Sequence, residues 1–387
     1  LASELSRLGF IQERLDHLTK EHLYRQMRSV IANGSTAIVD GRKVVHLCSN
    51  DYLGLSRSRS VIAAASSLGQ ISQCSSRLIA GNHPSLTLLE DLLASHRLAD
   101  RALVFPTGYM ANLGAVTALA NNSTTIFSDE FNHASIIDAC KLSGAKVRIF
   151  RHNDTRHLAH LMQKSVGKKI VITEGVFSMD GDISNMAQIC ALAKRHEAMT
   201  IVDDAHGDFL LGENYSGVPA LSGAPVDVHV SSLSKGLGCF GGYVAASGPI
   251  IELLVNSSRQ FIYTSALPEH LCNAAIAAMR IAKRGRLQPK LRRNIRYLTQ
   301  RLRKAGLQTG TSESQIIPIM IGSEERTVRL SEEFLSAGFF CQAVRYPTVR
   351  KGEARLRITV TAEHSTRQLG KAADSLGALA SRHTNGR

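Results

Sequence analysis

Short β-branched runs alternate with helix-like stretches through the middle of the chain. The runs are Ala102–Phe105, Thr124–Phe127, Lys146–Phe150, Lys169–Glu174, Thr200–Asp204, Val226–Ser231 and Gly242–Ala246. Between them, Ile136–Ser143, Leu158–Lys164 and Met186–His196 have helical composition. Apolar runs of strand length separated by helix-length segments predict an α/β fold, with a mainly parallel sheet covered by helices on both faces. Seven such runs predict a seven-stranded sheet. Beyond residue 280 the pattern changes to a long basic stretch, a strand-like run Ser314–Ile321, a helix Thr327–Ala337 and a further run Arg355–Thr361. That succession predicts a smaller α+β domain at the C-terminus. The start of the chain reads as a helical arm leading to a short strand pair around Thr36–Leu47. The expected organisation is an arm over 1–48, a large α/β domain over 49–280 and a small domain over 281–387.

Composition narrows the class. The chain has 387 residues, 44% hydrophobic and 20% charged, which excludes disorder as the main state. No apolar stretch reaches the roughly 18 residues that a membrane helix needs, and the N-terminal residues lack the apolar core of a signal peptide. A soluble, cytoplasmic protein is expected. The seven cysteines form no CxxC pair and the fifteen histidines no metal-ligand spacing, so free thiols and no metal are expected. The net charge of +14 concentrates in Arg280–Lys304, where eleven basic residues meet no acidic one. Leu291, Ile295, Leu298 and Leu302 recur there at helical spacing, so the basic side chains share the opposite face. Such a face is either solvated or a docking surface for an acidic partner, such as a phosphopantetheine carrier or coenzyme A phosphates. Nucleic acid is disfavoured, since no recognition motif accompanies the charge.

In open α/β sheets ligands bind beyond the carboxyl ends of the strands, so the residues following each run are the candidates for chemistry. Lys235 lies in Ser231-Ser232-Leu233-Ser234-Lys235-Gly236-Leu237-Gly238, flanked by small residues. A lysine in a tight, partly desolvated site becomes a nucleophile toward aldehydes. Asp203 ends another run, and a carboxylate there can hold a pyridine nitrogen protonated, which makes the ring an electron sink. His206 can contact the ring's phenolic oxygen. Thr107-Gly108-Tyr109 opens a helix whose N–H groups suit a phosphate. Each feature has an ordinary structural explanation: a surface lysine in a Gly/Ser loop, a helix cap, an interior histidine, a strand-to-helix turn. Together they point to pyridoxal 5'-phosphate (PLP).

These residues sit in a series of blocks that resembles the α-oxoamine synthases, PLP enzymes of fold type I, over nearly the whole chain. The blocks include Asn50–Leu55, Ser76–Pro84, Thr107–Asn112, His133-Ala134-Ser135, His152-Asn153-Asp154, Thr173–Asp182, Asp203–Gly207, Ser234–Gly238, Tyr263-Thr264-Ser265 and Tyr346–Val349. The resemblance implies that Lys235 anchors the cofactor covalently and moves the amino acid's Cα proton. It implies that Asp203 pairs with the ring nitrogen, His206 with the ring oxygen, and that His133 stacks on the ring. Gly108, Tyr109, Ser178 and Ser232 are implied to help hold the cofactor. Ser265 is implied to reach the phosphate of a neighbouring subunit, hence a homodimer with shared sites. Arg357 is implied to take the amino-acid carboxylate, with Arg25 and Thr348 near the acyl substrate. The implied reaction condenses L-alanine with pimeloyl-CoA or a pimeloyl carrier protein to 8-amino-7-oxononanoate, carbon dioxide and free thiol, in biotin synthesis. Glycine-using members of the family are the alternative, and a non-catalytic basic binding protein is a rival from another class.

Three departures from the family pattern stand out. Ser72-Gln73-Cys74-Ser75 replaces a glycine-bearing run, which should stiffen that loop. Ser232 stands where threonine is common. Asp208-Phe209 follows His206-Gly207 where Thr-Gly is usual, so a different local turn is expected.

Overall fold

The computed structural model describes residues 2–66 and 71–384. Its contacts divide the chain into two compact units: Leu1–Ser49 with Met179–Gly181 and Leu291–Arg387, and Asn50–Ser178 with Asp182–Lys290.

In the first unit a helix, Ala2–Lys20, precedes β1 (Val30–Asn33), β2 (Thr36–Val39) and β3 (Arg42–His46). The expected strand pair is therefore a three-stranded meander, extended by β12 (Phe339–Phe340), which pairs in parallel with β3. β1 escaped the sequence pattern because all four of its residues are exposed, so it lacks an apolar alternation. A second small sheet joins β11 (Ile316–Gly322), β14 (Ala354–Thr359) and β13 (Gln342–Val344), all antiparallel.

The second unit holds a seven-stranded sheet: β4 (Arg101–Phe105), β5 (Thr124–Asp129), β6 (Lys146–Phe150), β7 (Lys168–Glu174), β8 (Ala198–Asp203), β9 (Val228–Ser232) and β10 (Gly242–Ala246), in the order β4-β10-β9-β8-β7-β5-β6. Four pairings are parallel; β10 runs antiparallel to both its neighbours. Period-two alternation explains how the sheet is covered on both sides. Ile126, Ile170, Ile172 and Ile201 pack with Ala111, Ala115 and Val116 of helix Gly108–Leu119. Phe127 and Val171, each one residue out of step, pack with Leu158, Met162 and Ile189 from helices Thr155–Gln163 and Met186–Arg195. Thr107 caps helix Gly108–Leu119 by accepting the Met110 N–H at 3.1 Å.

The basic stretch forms helix Gln288–Lys304. Leu291, Leu298 and Leu302 are buried while Arg292, Arg293 and Arg296 are exposed. Among the described residues no helix is long and apolar enough to cross a membrane.

Candidate active site

β7, β8 and β9 end side by side at Glu174, Asp203 and Ser232. Glu174 and Asp203 are register partners, and Asp203 is the partner of Val230. The chain after β9 turns back through Lys235, and Gly238 makes that turn possible. Its φ of +62° is one a side chain rarely adopts, and a Cβ there would come 2.6 Å from Asp51 Oδ1 and from the Ser56 N–H nitrogen.

Lys235 Nζ lies 2.8 Å from His206 Nε2, and the other ring nitrogen of His206 lies 2.7 Å from the Tyr52 hydroxyl. His206 is thus fixed between a half-buried lysine and a fully buried tyrosine. Asp203 accepts the Asn112 side-chain amide at 2.6 Å and the Ala205 N–H at 3.0 Å. The same Asn112 nitrogen donates to Ser135 Oγ at 2.9 Å, and Ser135 Oγ lies 2.8 Å from His133 Nδ1. His133 Nδ1 also accepts the Ser135 N–H at 3.2 Å, capping helix Ala134–Leu142. That bond makes Nδ1 the acceptor nitrogen, and burial pushes the imidazole's pKa down. His133 is therefore held as a neutral ring, linked to Asp203 through Asn112 and Ser135. The Tyr109 ring meets it edge-on with centroids 6.4 Å apart, and the Tyr109 hydroxyl donates to Asp138.

Gly108 opens its helix directly against Ser232: a Cβ at Gly108 would stand 3.1 Å from the Ser232 Cβ. Ser232 Oγ lies 2.7 Å from Ser234 Oγ and accepts the Ser234 N–H at 3.2 Å. Ser178 donates its N–H to Glu174 Oε2 at 3.2 Å. So one unit brings together Lys235, His206, Asp203, His133, Tyr109, Ser178, Gly108 and Ser232. Ser265 is exposed and forms an isolated bridge with Ser76. Arg25, Thr348 and Arg357 belong to the other unit: Arg25 donates to the Tyr346 carbonyl, Thr348 closes a turn on Arg345, and Arg357 lies on β14.

Several side chains in the cluster had no assigned role from sequence, among them Tyr52, Asn112, Ser135 and Glu174. All four stand inside the family-like blocks, so their presence was signalled but not their contacts. Glu174 ends a strand next to Asp203, a position that only the register reveals.

A different network surrounds the neighbouring residues of the same turn. Arg97 donates to Asp204 at 3.0 Å, pairs with Asp208 at 3.2 Å and reaches the Tyr243 hydroxyl at 2.9 Å. Asp208 also faces His96 at 3.0 Å and accepts from Ser231 and Tyr243. Burial raises Asp204 to about 7, whereas for Asp208 the Arg97 guanidinium outweighs burial and holds the carboxyl below its ordinary range. The expectation of a different turn at Asp208-Phe209 meets a particular outcome. Phe209 has φ +63°, the left-handed region that glycine favours, and it stacks on His96 with centroids 4.1 Å apart.

The residues present fit PLP on structural grounds. Asp203 is a carboxyl at a strand end, the Gly108 helix start lies close against Ser232, and Lys235 stands beside a fixed imidazole. Glu174 Oε1 and Asn112 Oδ1 are buried oxygens without a hydrogen-bond partner among the described residues, so each can still accept a bond.

Comparison with known proteins agrees. The profile of class I and II aminotransferases matches residues 42–376. The 8-amino-7-oxononanoate synthase of Citrifermentans bemidjiense is 41% identical over 374 residues, covering 93% of this chain and 95% of that protein. The enzyme of the same name from Thermoanaerobacter pseudethanolicus is 38% identical, covering 96% of each. Among solved structures, a serine palmitoyltransferase from S. paucimobilis with bound PLP and myriocin superposes with TM-score 0.91 at 28% identity, covering 98% of both chains. The 8-amino-7-oxononanoate synthase of Francisella tularensis gives TM-score 0.76 at 26% identity, over 88% of this chain and 99% of that one. The chain belongs to the class I and II aminotransferase family and, within it, to the PLP-dependent α-oxoamine synthases of fold type I.

Proposed function

We propose that this chain condenses L-alanine with a pimeloyl thioester to form 8-amino-7-oxononanoate. The observation that carries this reading is the 2.8 Å contact between Lys235 Nζ and His206 Nε2, on strand ends shared with Asp203. In the net reaction the alanine Cα bonds to the thioester carbonyl carbon, the C–S bond breaks to release the thiol, and the Cα–carboxylate bond breaks to release carbon dioxide. PLP, when bound, supplies the electron sink for the Cα carbanion. The chain's own residues do the rest. Lys235 anchors the cofactor, takes the Cα proton and supports its return. Asp203, fixed by Asn112 and Ala205, holds the proton on the ring nitrogen. His206, pinned by Tyr52, takes the ring oxygen, and the neutral His133 covers the ring. Gly108, Tyr109, Ser178 and Ser232 would hold the cofactor and its phosphate.

The same reading includes a homodimer in which Ser265 completes the neighbouring site. Exposed apolar side chains support it: Ile79 at 81%, Tyr263 at 73%, Leu78 and Phe240 at 51%. Mixing Lys235→Ala with Ser265→Ala protein should regenerate partial activity if sites are shared, and none if they are not. A cytoplasmic location is supported by seven free thiols.

The decisive test is the visible spectrum of the protein loaded with PLP, titrated with L-alanine and with glycine. Perturbation by L-alanine at much lower concentration supports this reading. A glycine preference would move the function to the glycine-using members of the family, and no cofactor band would remove the enzyme assignment.

A further inference from the structure

Glu174 is buried at 2% exposure, yet the chemistry just described gives it no part. It ends β7 as the register partner of Asp203 on β8, so the two carboxyl side chains leave the sheet on the same face, one strand apart. Their surroundings differ. Both Asp203 oxygens are served, one by the Asn112 amide and the other by the Ala205 N–H. Glu174 Oε2 accepts the Ser178 N–H, and the His133 backbone N–H also points to this carboxyl, while Oε1 is buried with no partner among the described residues.

We propose that Glu174 is a positioning residue of the condensation site, a carboxyl that carries a proton beside the ionised Asp203 so that the pair presents a single negative charge to the cofactor's ring nitrogen. This rests on the PLP reading given above.

Two ionised carboxyls on adjacent strand ends, away from water, repel with little screening, so one of them holds a proton. Asp203 has charged-form support on both oxygens. Glu174 has the Ser178 N–H on Oε2 and, among the described residues, no hydrogen-bond partner on Oε1, where a proton would remove the charge that burial penalises. A carboxylate oxygen left bare in that position would carry its full desolvation cost. The groups facing Glu174 are Asp203 from β8, Lys235 from the turn after β9, His133 from the head of helix Ala134–Leu142, and Ser178 from the loop after β7. Lys235 and the two backbone N–H groups favour ionisation. Burial, first, and the Asp203 charge, second, outweigh them and push Glu174 well above the usual carboxyl range.

Placed so, the neutral acid does two things. It keeps the negative charge of the pair on the carboxylate that faces the ring nitrogen. It also ties the loop carrying Ser178 and the start of the His133 helix to the strand that precedes Asp203.

Infrared difference spectroscopy tests the charge state directly. At neutral pH the wild-type protein should show a carboxylic-acid C=O band that is missing from Glu174→Gln; identical spectra would overturn the proposal. In Asp203→Asn the neighbouring charge is gone, so that band should titrate away at least about tenfold more readily in proton concentration. An unmoved midpoint would overturn the coupling even if Glu174→Gln proved poorly folded. Glutamine mimics a neutral acid, so Glu174→Gln should bind PLP within about threefold of wild type at neutral pH, and Glu174→Ala about tenfold or more weakly. Equal losses in both would overturn the neutral-acid role. None of these readouts uses substrate, so failure of L-alanine turnover in the wild-type protein would break the functional reading and leave them standing.

Discussion

One turn of chain feeds two polar clusters with opposite designs. Asp203 and His206 enter the cluster with Lys235, Asn112 and Glu174; Asp204 and Asp208 enter the cluster with Arg97, His96 and Tyr243. The second cluster is sealed: the side chains of Arg97, His96, Asp204 and Asp208 are at most 1% exposed, and the guanidinium is matched against two carboxyls. The first has a half-buried amine and a helix that starts at a glycine; among the described residues, buried polar atoms without a partner occur in both, Glu174 Oε1 and Asn112 Oδ1 in the first, Asp204 Oδ1 and His96 Nδ1 in the second. Charges paired away from water hold structure, whereas an amine that water still reaches, beside a fixed imidazole, leaves room for a ligand. Neighbouring residues of a single motif therefore divide between the proposed site and a closed ionic cluster.

The sharpest way to break that distinction is to remove one charge from each cluster. Lys235→Ala should lower turnover by ~10³-fold or more while thermal unfolding stays near that of the wild type. A matching loss of stability would mean that the open cluster also holds the fold. Arg97→Met should do the reverse, leaving two buried carboxyls unpaired and costing ~3–5 kcal/mol in denaturant unfolding. Arg97→Met with Asp208→Leu should recover most of that loss. Only Asp204 then remains, and burial has already raised it to about 7, so it can take up a proton. If the double variant is as unstable as the single one, the cluster is not a charge-balanced unit.

Much of the fold was legible because the strands of the large sheet are short β-branched runs ending in reactive residues. Lys146–Phe150 and Gly242–Ala246 match their expected limits, and the others shift by one or two residues at an end. The reversal of β10 was not legible, since a fully buried run reads the same in either direction. The identities of Lys235, Asp203 and His206 came from type and position. Their fixing partners did not: Tyr52 lies 154 positions from His206 and Asn112 lies 91 from Asp203, pairings that only the packed sheet creates. The sealed cluster was invisible for a related reason. Tyr243 reads as a strand residue and Arg97 falls in no expected element, and nothing local tells that both reach Asp208. Phe209 shows the limit of pattern in another way: a glycine was absent, yet the backbone kept a glycine-like φ, stabilised by burial and by stacking on His96.

His152 offers a third case between the two, a histidine gripped by Asp129 at 3.0 Å and Asp182 at 2.8 Å. Burial alone would lower its pKa, but the hydrogen bonds to the two carboxyls win and raise it to about 10. Because the folded value lies above the unfolded one, the stabilisation is complete below about pH 6.5 and disappears as pH rises toward about 10. Urea unfolding should therefore show a loss of roughly 5 kcal/mol across that window, and His152→Gln should flatten it. A slope unchanged by the substitution would assign the pH dependence to other groups.

The smallest expected effect concerns Ser232, where the open cluster meets the helix start. Threonine is the common residue in this family, so Ser232→Thr asks whether the serine is itself a requirement of this chain. The hydroxyl that accepts the Ser234 N–H is retained, and the added methyl enters a tight space, since a Cβ on Gly108 would already stand 3.1 Å away. Overpacking by one methyl group costs ~1 kcal/mol when neighbours can shift. PLP affinity should change by less than about threefold, a difference worth under ~1 kcal/mol. Ser232→Ala, which leaves the Ser234 N–H without that acceptor, should cost more than the threonine variant. Equal losses in both would show that the fit against Gly108, rather than the hydroxyl, sets this corner of the site.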